Sequence, residues 1–152
     1  MSLPLGSIRL TRKFLHSDPV EPFEVANATG TIKKELERLP RFKSANMGLL
    51  GVAATPITLA LMHLQEDKDN FSSTAGYVLT REAVSEICTN LQPMPVAERK
   101  KLPGLHPDRA DVIFPGCLII QKFMEHAEFD RLHISLGGLR FGYALAKLQW
   151  KA

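Results

Sequence analysis

Met47-Gly48-Leu49-Leu50-Gly51-Val52-Ala53-Ala54-Thr55-Pro56-Ile57-Thr58-Leu59-Ala60-Leu61 is the stretch that decides the fold. An apolar run of strand length passes through small residues into Thr and Pro, then into apolar residues at helical spacing. This order reads as a buried strand, a tight turn and a helix start. Pro56 suits the first helical position, where its missing N–H has no intrahelical partner, and Thr55 before it is placed to cap. A helix N-terminus at the carboxyl end of a strand gathers free N–H groups and the positive end of the helix dipole, which suits an anion. The same pattern also serves as an ordinary strand-to-helix turn in any α/β protein.

Downstream, residues 66–73 are polar and read as a loop. Thr80 is placed to cap a helix whose buried stripe is Val84, Ile87, Cys88 and Leu91, and Pro93-Met94-Pro95 breaks it. Residues 96–101 form a short helical turn. His106-Pro107-Asp108 then opens a longer helix through Ile113, Cys117, Ile120 and Met124. That helix is apolar on most sides and is expected at the centre, kinked at Pro115 with Gly116 easing the bend. Residues 132–135 read as a short buried strand, and Leu136-Gly137-Gly138 turns into a last helix carrying Leu139, Gly142, Leu145 and Leu148. Upstream, residues 2–11 look strand-like. Asp18-Pro19-Val20-Glu21-Pro22 is a turn, and Pro22 can open a helix. Val25, Ala28 or Thr29, Ile32, Leu36 and Leu39 give that helix one apolar stripe; Gly30 weakens it and Pro40 stops it. Strands alternating with helices predict α/β with a parallel sheet covered by helices. Three strands are few for so many helices. With the abrupt start at residue 2, this leads us to expect a chain that begins inside a larger protein.

At 152 residues the chain is one domain with a real core. Its formal net charge of +3 is mild, with Lys33-Lys34 and Arg99-Lys100-Lys101 as small clusters. Such clusters read as solvated helix faces able to steer a polyanion, not as a specific nucleic-acid footprint. No signal peptide or membrane span is legible, because Pro115-Gly116 interrupts the longest apolar run; the cytoplasm is the expected compartment. Cys88 and Cys117 sit in apolar helical patterns as core thiols of a reducing compartment. No base lies beside either in sequence, which argues against a thiol nucleophile. His16, His63, His106, His126 and His133 show no metal-ligand spacing.

Four segments, taken in order, carry a family resemblance. They are Leu3-Pro4-Leu5-Gly6-Ser7-Ile8-Arg9-Leu10; Gly51-Val52-Ala53-Ala54-Thr55-Pro56-Ile57-Thr58-Leu59-Ala60; Arg99 through Pro103-Gly104-Leu105-His106-Pro107-Asp108-Arg109-Ala110-Asp111-Val112-Ile113; and Ser135 through Gly138-Leu139-Arg140-Phe141-Gly142. Together they resemble the second domain of the exopolyphosphatase and guanosine pentaphosphate phosphatase (Ppx/GppA) family. That family belongs to the sugar kinase, heat-shock protein and actin superfamily. The resemblance implies an α/β, ribonuclease H-like (actin-like ATPase) domain that is truncated: residues 1–152 would be a partial second domain of a two-domain phosphatase. The first domain and the first strands of this one would lie outside the chain. In the family's sheet two of those strands separate the Leu-Pro-Leu-Gly strand from the Leu-Leu-Gly-Val strand. We therefore expect an incomplete or rearranged sheet whose exposed edges can recruit another copy.

The implied chemistry is hydrolysis of a terminal phosphoanhydride in inorganic polyphosphate, or of the 5′ phosphate of guanosine pentaphosphate. In the family the catalytic carboxylate comes from the first domain, a metal ion (usually Mg2+) assists, and a phosphate loop of Asp-Ile-Gly-Gly-Gly-Ser type precedes the Leu-Pro-Leu-Gly strand. Neither carboxylate nor loop is in this sequence, so no catalytic or metal-holding residue is expected here. Gly51, Ala54 and Thr55 match a Gly-x-Gly-Gly-Thr turn that faces the nucleotide in the wider superfamily, although Ala53 and Ala54 replace its glycine pair. Gly138 and Arg140 are further phosphate- or nucleotide-binding candidates, Arg140 because it follows Gly137-Gly138 at a helix start; an ion pair is its other reading. Leu136 and Phe141 stand where the family commonly has Asp and Glu. Arg109 and Asp111 read as structural, a helix-start carboxylate with a partner arginine. Arg9 beside Gly6 is a lesser candidate for an anion contact. The alternatives to the phosphatase reading are a non-catalytic nucleotide- or polyanion-binding module and a structural interaction domain.

Overall fold

Leu49, Leu132 and Leu79 stand side by side across three strands, and the core is built on that row. The computed structural model describes residues 2–40 and 47–149, with the side chains of residues 139, 140 and 149 outside that description. Strands β1 (Leu49–Gly51), β2 (Val78–Thr80) and β3 (Arg131–Ile134) lie in the order β1-β3-β2. β1 is parallel to β3, but β2 is antiparallel to it. The sheet is therefore mixed, which corrects the all-parallel expectation. β2 returns to the sheet through a 3-10 turn at Phe71–Thr74, and Gly76 N–H donates to the Ile134 carbonyl. At three residues, the last of them the Thr80 that caps the next helix, β2 is too short for its alternation to show in sequence.

Side chains alternate along a strand, so a covered sheet face needs only every second residue apolar. Leu79, Leu132 and Ile134 are buried on the covered face, whereas Leu50 and His133, opposite one another, are exposed. α3 (Ala54–Leu64) and α4 (Arg81–Leu91) pack on the sheet, and α1 (Ser7–Phe14), α2 (Pro22–Leu36) and α6 (Ile113–His126) complete the core, with the short α5 (Val96–Arg99) between α4 and α6. α6 runs through the middle, and α1, α2, α3 and α4 all pack on it. Ile113, Phe114, Cys117 and Met124 of α6 are fully buried, and burying side chains of this size contributes about 1.5–3 kcal/mol each.

Several expected elements form as read. Ala28, Ile32 and Leu36 are the buried stripe of α2, Pro22 is its first residue, and Thr80 Oγ1 accepts from Ala83 N–H to cap α4. Two are corrected. Residues 7–14 are helical, not extended, because the amphipathic spacing buries Leu10 against α6 and leaves Ile8 outside. The apolar pairs Leu3/Leu5 and Ile8/Leu10 imitate the two-residue period of a strand. The long helix starts at Ile113, after a separate 3-10 turn at Pro107–Arg109. Pro115 is then its third residue, where no intrahelical donor is required, and the reason for a kink disappears. A final helix, α7 (Leu139–Gln149), carries exposed Phe141, Tyr143, Leu145 and Leu148.

Candidate functional site

The turn after β1 is built by close approach. A Cβ on Gly51 would stand 2.7 Å from Pro56 Cβ and 3.0 Å from Leu132 Cδ1, so only glycine lets α3 lie this near the sheet. The chain then passes Ala53 at φ 68° and ψ −166°, a region that favours glycine and strains an L-residue. Ala53 is the residue that caps α3, which makes Thr55 and Pro56 its second and third residues. The expectation that Thr55 caps and Pro56 leads is corrected: the sharp reversal at Ala53 starts the helix earlier. Among the described residues no side chain caps this N-terminus. Its first-turn N–H groups and dipole face outward from the carboxyl end of the strand.

Thr55 has another task. Its hydroxyl accepts from Arg109 Nη2 at 3.2 Å, and Thr58 Oγ1 accepts from Arg109 Nη1 at 3.1 Å. Behind it, Gly116 of α6 leaves no room: a Cβ there would come within 2.8 Å of Thr55 Cγ2. Arg109 is thereby fixed over the first turns of α3. It is half-buried, burial pushes its pKa down, and among the described residues it pairs with no carboxylate. Two of its N–H groups serve the threonines and the others remain for a ligand.

Arg109 and the start of α3 (Ala53, Ala54, Ile57, Thr58) line one side of an open cleft of about 1030 Å3. Lys68, Phe71, Gly104, His106, Leu136, Gly138 and Phe141 complete its lining. The Asp69 carboxylate, 3.0 Å from Lys68 Nζ, holds that lysine above its usual value. His106 Nδ1 accepts from Asp108 N–H at 3.3 Å. No Asp or Glu is among the described lining residues. The cleft therefore offers two cations, an uncapped helix terminus and an apolar wall. Chemically it can hold an anion and orient it, and none of its described lining residues is a carboxylate that could activate water.

Of the residues singled out in the sequence, Ala54 and Gly138 line this cleft, and Thr55 lies under it holding Arg109. Gly51 sits behind the turn and serves packing. Arg140 is in the first turn of α7, with its side chain outside the described residues. Arg9 donates to the Pro4 carbonyl at 2.9 Å and is not part of the cleft lining. Arg109, read from the sequence as a structural partner of Asp111, lines the cleft instead beside the start of α3. Its partners are threonines 54 and 51 residues away, not Asp111, and no local spacing marks them. Among the described residues, no group of three or more His, Cys, Asp or Glu is placed to hold a metal ion.

Comparison with known proteins bears on what this cleft does. The model of the Ppx/GppA phosphatase family matches residues 1–150. Exopolyphosphatase 2 of Mycobacterium tuberculosis is 30% identical over 155 residues, covering 95% of this chain and 47% of that protein. Exopolyphosphatase 1 of the same organism is 29% identical over 154 residues, covering 100% of this chain and 45% of that one. The crystal structure of the Aquifex aeolicus member of the Ppx/GppA family superposes with a TM-score of 0.90 at 28% identity, covering 99% of this chain and 49% of that chain. The chain thus spans about half the length of these relatives.

Proposed function

The chain belongs to the Ppx/GppA phosphatase family, and from that premise we propose that it supplies the phosphate cleft of a phosphoanhydride hydrolase acting on inorganic polyphosphate or guanosine pentaphosphate. Its α/β fold is the actin-like one of the family members it superposes on. The observation that carries the proposal is Arg109, half-buried, free of any carboxylate among the described residues and fixed by Thr55 and Thr58 above the uncapped start of α3. Phosphate oxygens need charge-assisted donors, and phosphoryl transfer is catalysed mainly by positioning and charge neutralisation. Arg109 and the α3 N–H groups meet the phosphate chain. Lys68, paired with Asp69, adds a second cation to the lining. The apolar wall of Ile57, Phe71, Leu136 and Phe141 suits a base at one end of the ligand, which favours guanosine pentaphosphate of the two.

The carboxylate that orients water is, in this reading, supplied by the domain that precedes these residues in the family. The Mg2+ expected of the family does not fit the cleft described here. Its lining of arginine, lysine, histidine and hydroxyl groups repels a divalent cation, and no step is assigned to a metal at this place. The same lack of an acidic group favours, as a second reading, a non-catalytic nucleotide- or polyanion-binding module. No helix among the described residues is long and apolar enough to cross a membrane. Free, buried Cys88 and Cys117 accord with the cytoplasm as the proposed compartment.

Calorimetric titration with tripolyphosphate tests the proposal. The chain is expected to bind saturably at physiological salt, and Arg109→Gln to bind about tenfold more weakly or worse, the cost of one charge-assisted contact. Equal binding by the variant, or binding by the unaltered chain that disappears with salt, overturns the site. No phosphate release from polyphosphate with Mg2+ is expected from this chain alone. Robust release abolished by changing one of its own residues would move catalysis into it and refute the division of labour proposed here.

A further inference from the structure

We propose that Arg99 is a positioning residue for Arg109: it grips the carbonyl of the next residue, Ala110, from inside the core and so aims Arg109 into the cleft. This rests on the phosphate-cleft reading above. Arg99 is only 2% exposed, at the end of α5. Its Nε donates to the Leu91 carbonyl at 3.1 Å and its Nη1 to the Ala110 carbonyl at 3.4 Å. The guanidinium carbon lies 5.5 Å from the centroid of the Phe114 ring. One side chain therefore touches the last residue of α4, the segment that carries Arg109 and the first turn of α6.

The cost of placing it there is the argument for a directional role. Burial pushes the Arg99 pKa down, with Asp18 acting against that shift, and Nη2 is buried with no hydrogen-bond partner. A methionine or leucine would fill the same volume without desolvating a charge. Only a planar fork with two differently directed donors can hold the Leu91 and Ala110 carbonyls together. The Leu91 carbonyl, which a helix C-terminus leaves without an intrahelical donor, also accepts from Met94 N–H at 3.3 Å, so Arg99 Nε is its second donor. The Ala110 carbonyl closes a turn otherwise held by short-range bonds, Arg109 N to His106 O at 2.9 Å, Ala110 N to Pro107 O at 3.2 Å and Val112 N to Arg109 O at 3.1 Å. Releasing that carbonyl lets the turn rotate. The Arg109 side chain, which reaches Thr55 and Thr58 from the same turn, moves with it. The relevant quantity is where Arg109 points, not how stable the core is.

Three readouts on the chain separate these: urea midpoint, calorimetric affinity for tripolyphosphate, and the assigned 15N–1H signal of Arg109 Nε. Arg99→Met is expected to fold, to bind tripolyphosphate about tenfold more weakly, and to lose the distinct Arg109 Nε signal. Arg99→Lys, which can reach one carbonyl only, should behave the same way, and it carries the test if Arg99→Met does not fold. Ile32→Ala, a buried change in α2 remote in sequence from the turn, should lower the urea midpoint and leave affinity and the Arg109 signal unaltered. A folded Arg99 variant with unchanged affinity and an unchanged Arg109 signal overturns the inference, as does Ile32→Ala weakening binding equally. If the unaltered chain does not bind tripolyphosphate, or Arg109→Gln binds as well as it does, the phosphate-cleft reading fails instead. The Arg109 Nε signal then still decides positioning on its own.

Discussion

Ala53 occupies a backbone conformation, φ 68° and ψ −166°, that glycine adopts freely and an alanine adopts under strain. The relief of that strain exceeds the extra chain entropy of glycine, so Ala53→Gly should stabilise the chain by roughly 1 kcal/mol in urea denaturation. A lower midpoint for the variant would show that the turn is not strained. Glu24 is the other residue whose surroundings dictate a measurable outcome. Its carboxylate accepts from Glu21 N–H at 2.9 Å, His16 N–H at 2.8 Å and Ser17 N–H at 3.1 Å. The Glu21 N–H, opposed by burial and joined by the other two, holds its pKa below the ordinary 4.5. A depressed folded pKa means that the stability is present above the ordinary value and is lost as pH falls through the folded one. Glu24→Gln should therefore be less stable than the parent near neutrality, and that deficit should shrink below about pH 4. Urea midpoints across the range check this; a constant deficit would refute it.

Between elements, the contact beneath Thr55 is α6 against α3. Gly116 is the reason the two helices meet so closely, since a methyl group there would come 2.8 Å from Thr55 Cγ2 and 3.1 Å from its Oγ1. Gly116→Ala should destabilise the chain by about 1–3 kcal/mol and tilt Thr55 away from Arg109. Adding Thr55→Ser removes the clashing methyl but keeps the hydroxyl that Arg109 uses. The double variant should recover part of the loss, a coupling that a double-mutant cycle measures directly. Additive effects would mean that the helices simply move apart. The same contact explains a feature of the sequence. Gly116 suggests a bend when the helix is considered alone, yet its role is set by a residue 61 positions earlier in the chain, on another helix.

At the level of the whole molecule, the sheet has helices on one face, while Leu50, 59% exposed, and His133 face outward on the other. Among the described residues β1 is an edge strand flanked by exposed Met47 and Val52, and unpaired edges with apolar neighbours promote association. We expect sedimentation velocity to show mass rising with concentration, and Leu50→Lys to suppress it; a single monomeric species at every concentration would refute an edge-mediated contact. What could be read in the sequence alone was whatever depends on neighbours three or four residues away. The stripe Ala28, Ile32, Leu36, the Thr80 cap, the strand-turn-helix order at residues 47–61 and the α/β class follow from local periodicity and capping. Longer-range facts were invisible there. Residues 7–14 became a helix because α6 offered a surface for Leu10, and β2 joined antiparallel because the chain re-entered the sheet from its far end. Arg109 acquired a role because threonines 54 and 51 residues away came beneath it. Local pattern determines which elements can form and which side chains they bury. Which faces meet, and so which arginine stands over the helix terminus, is decided only when packing brings distant residues together, because a contact energy cannot be assigned before its partner is known.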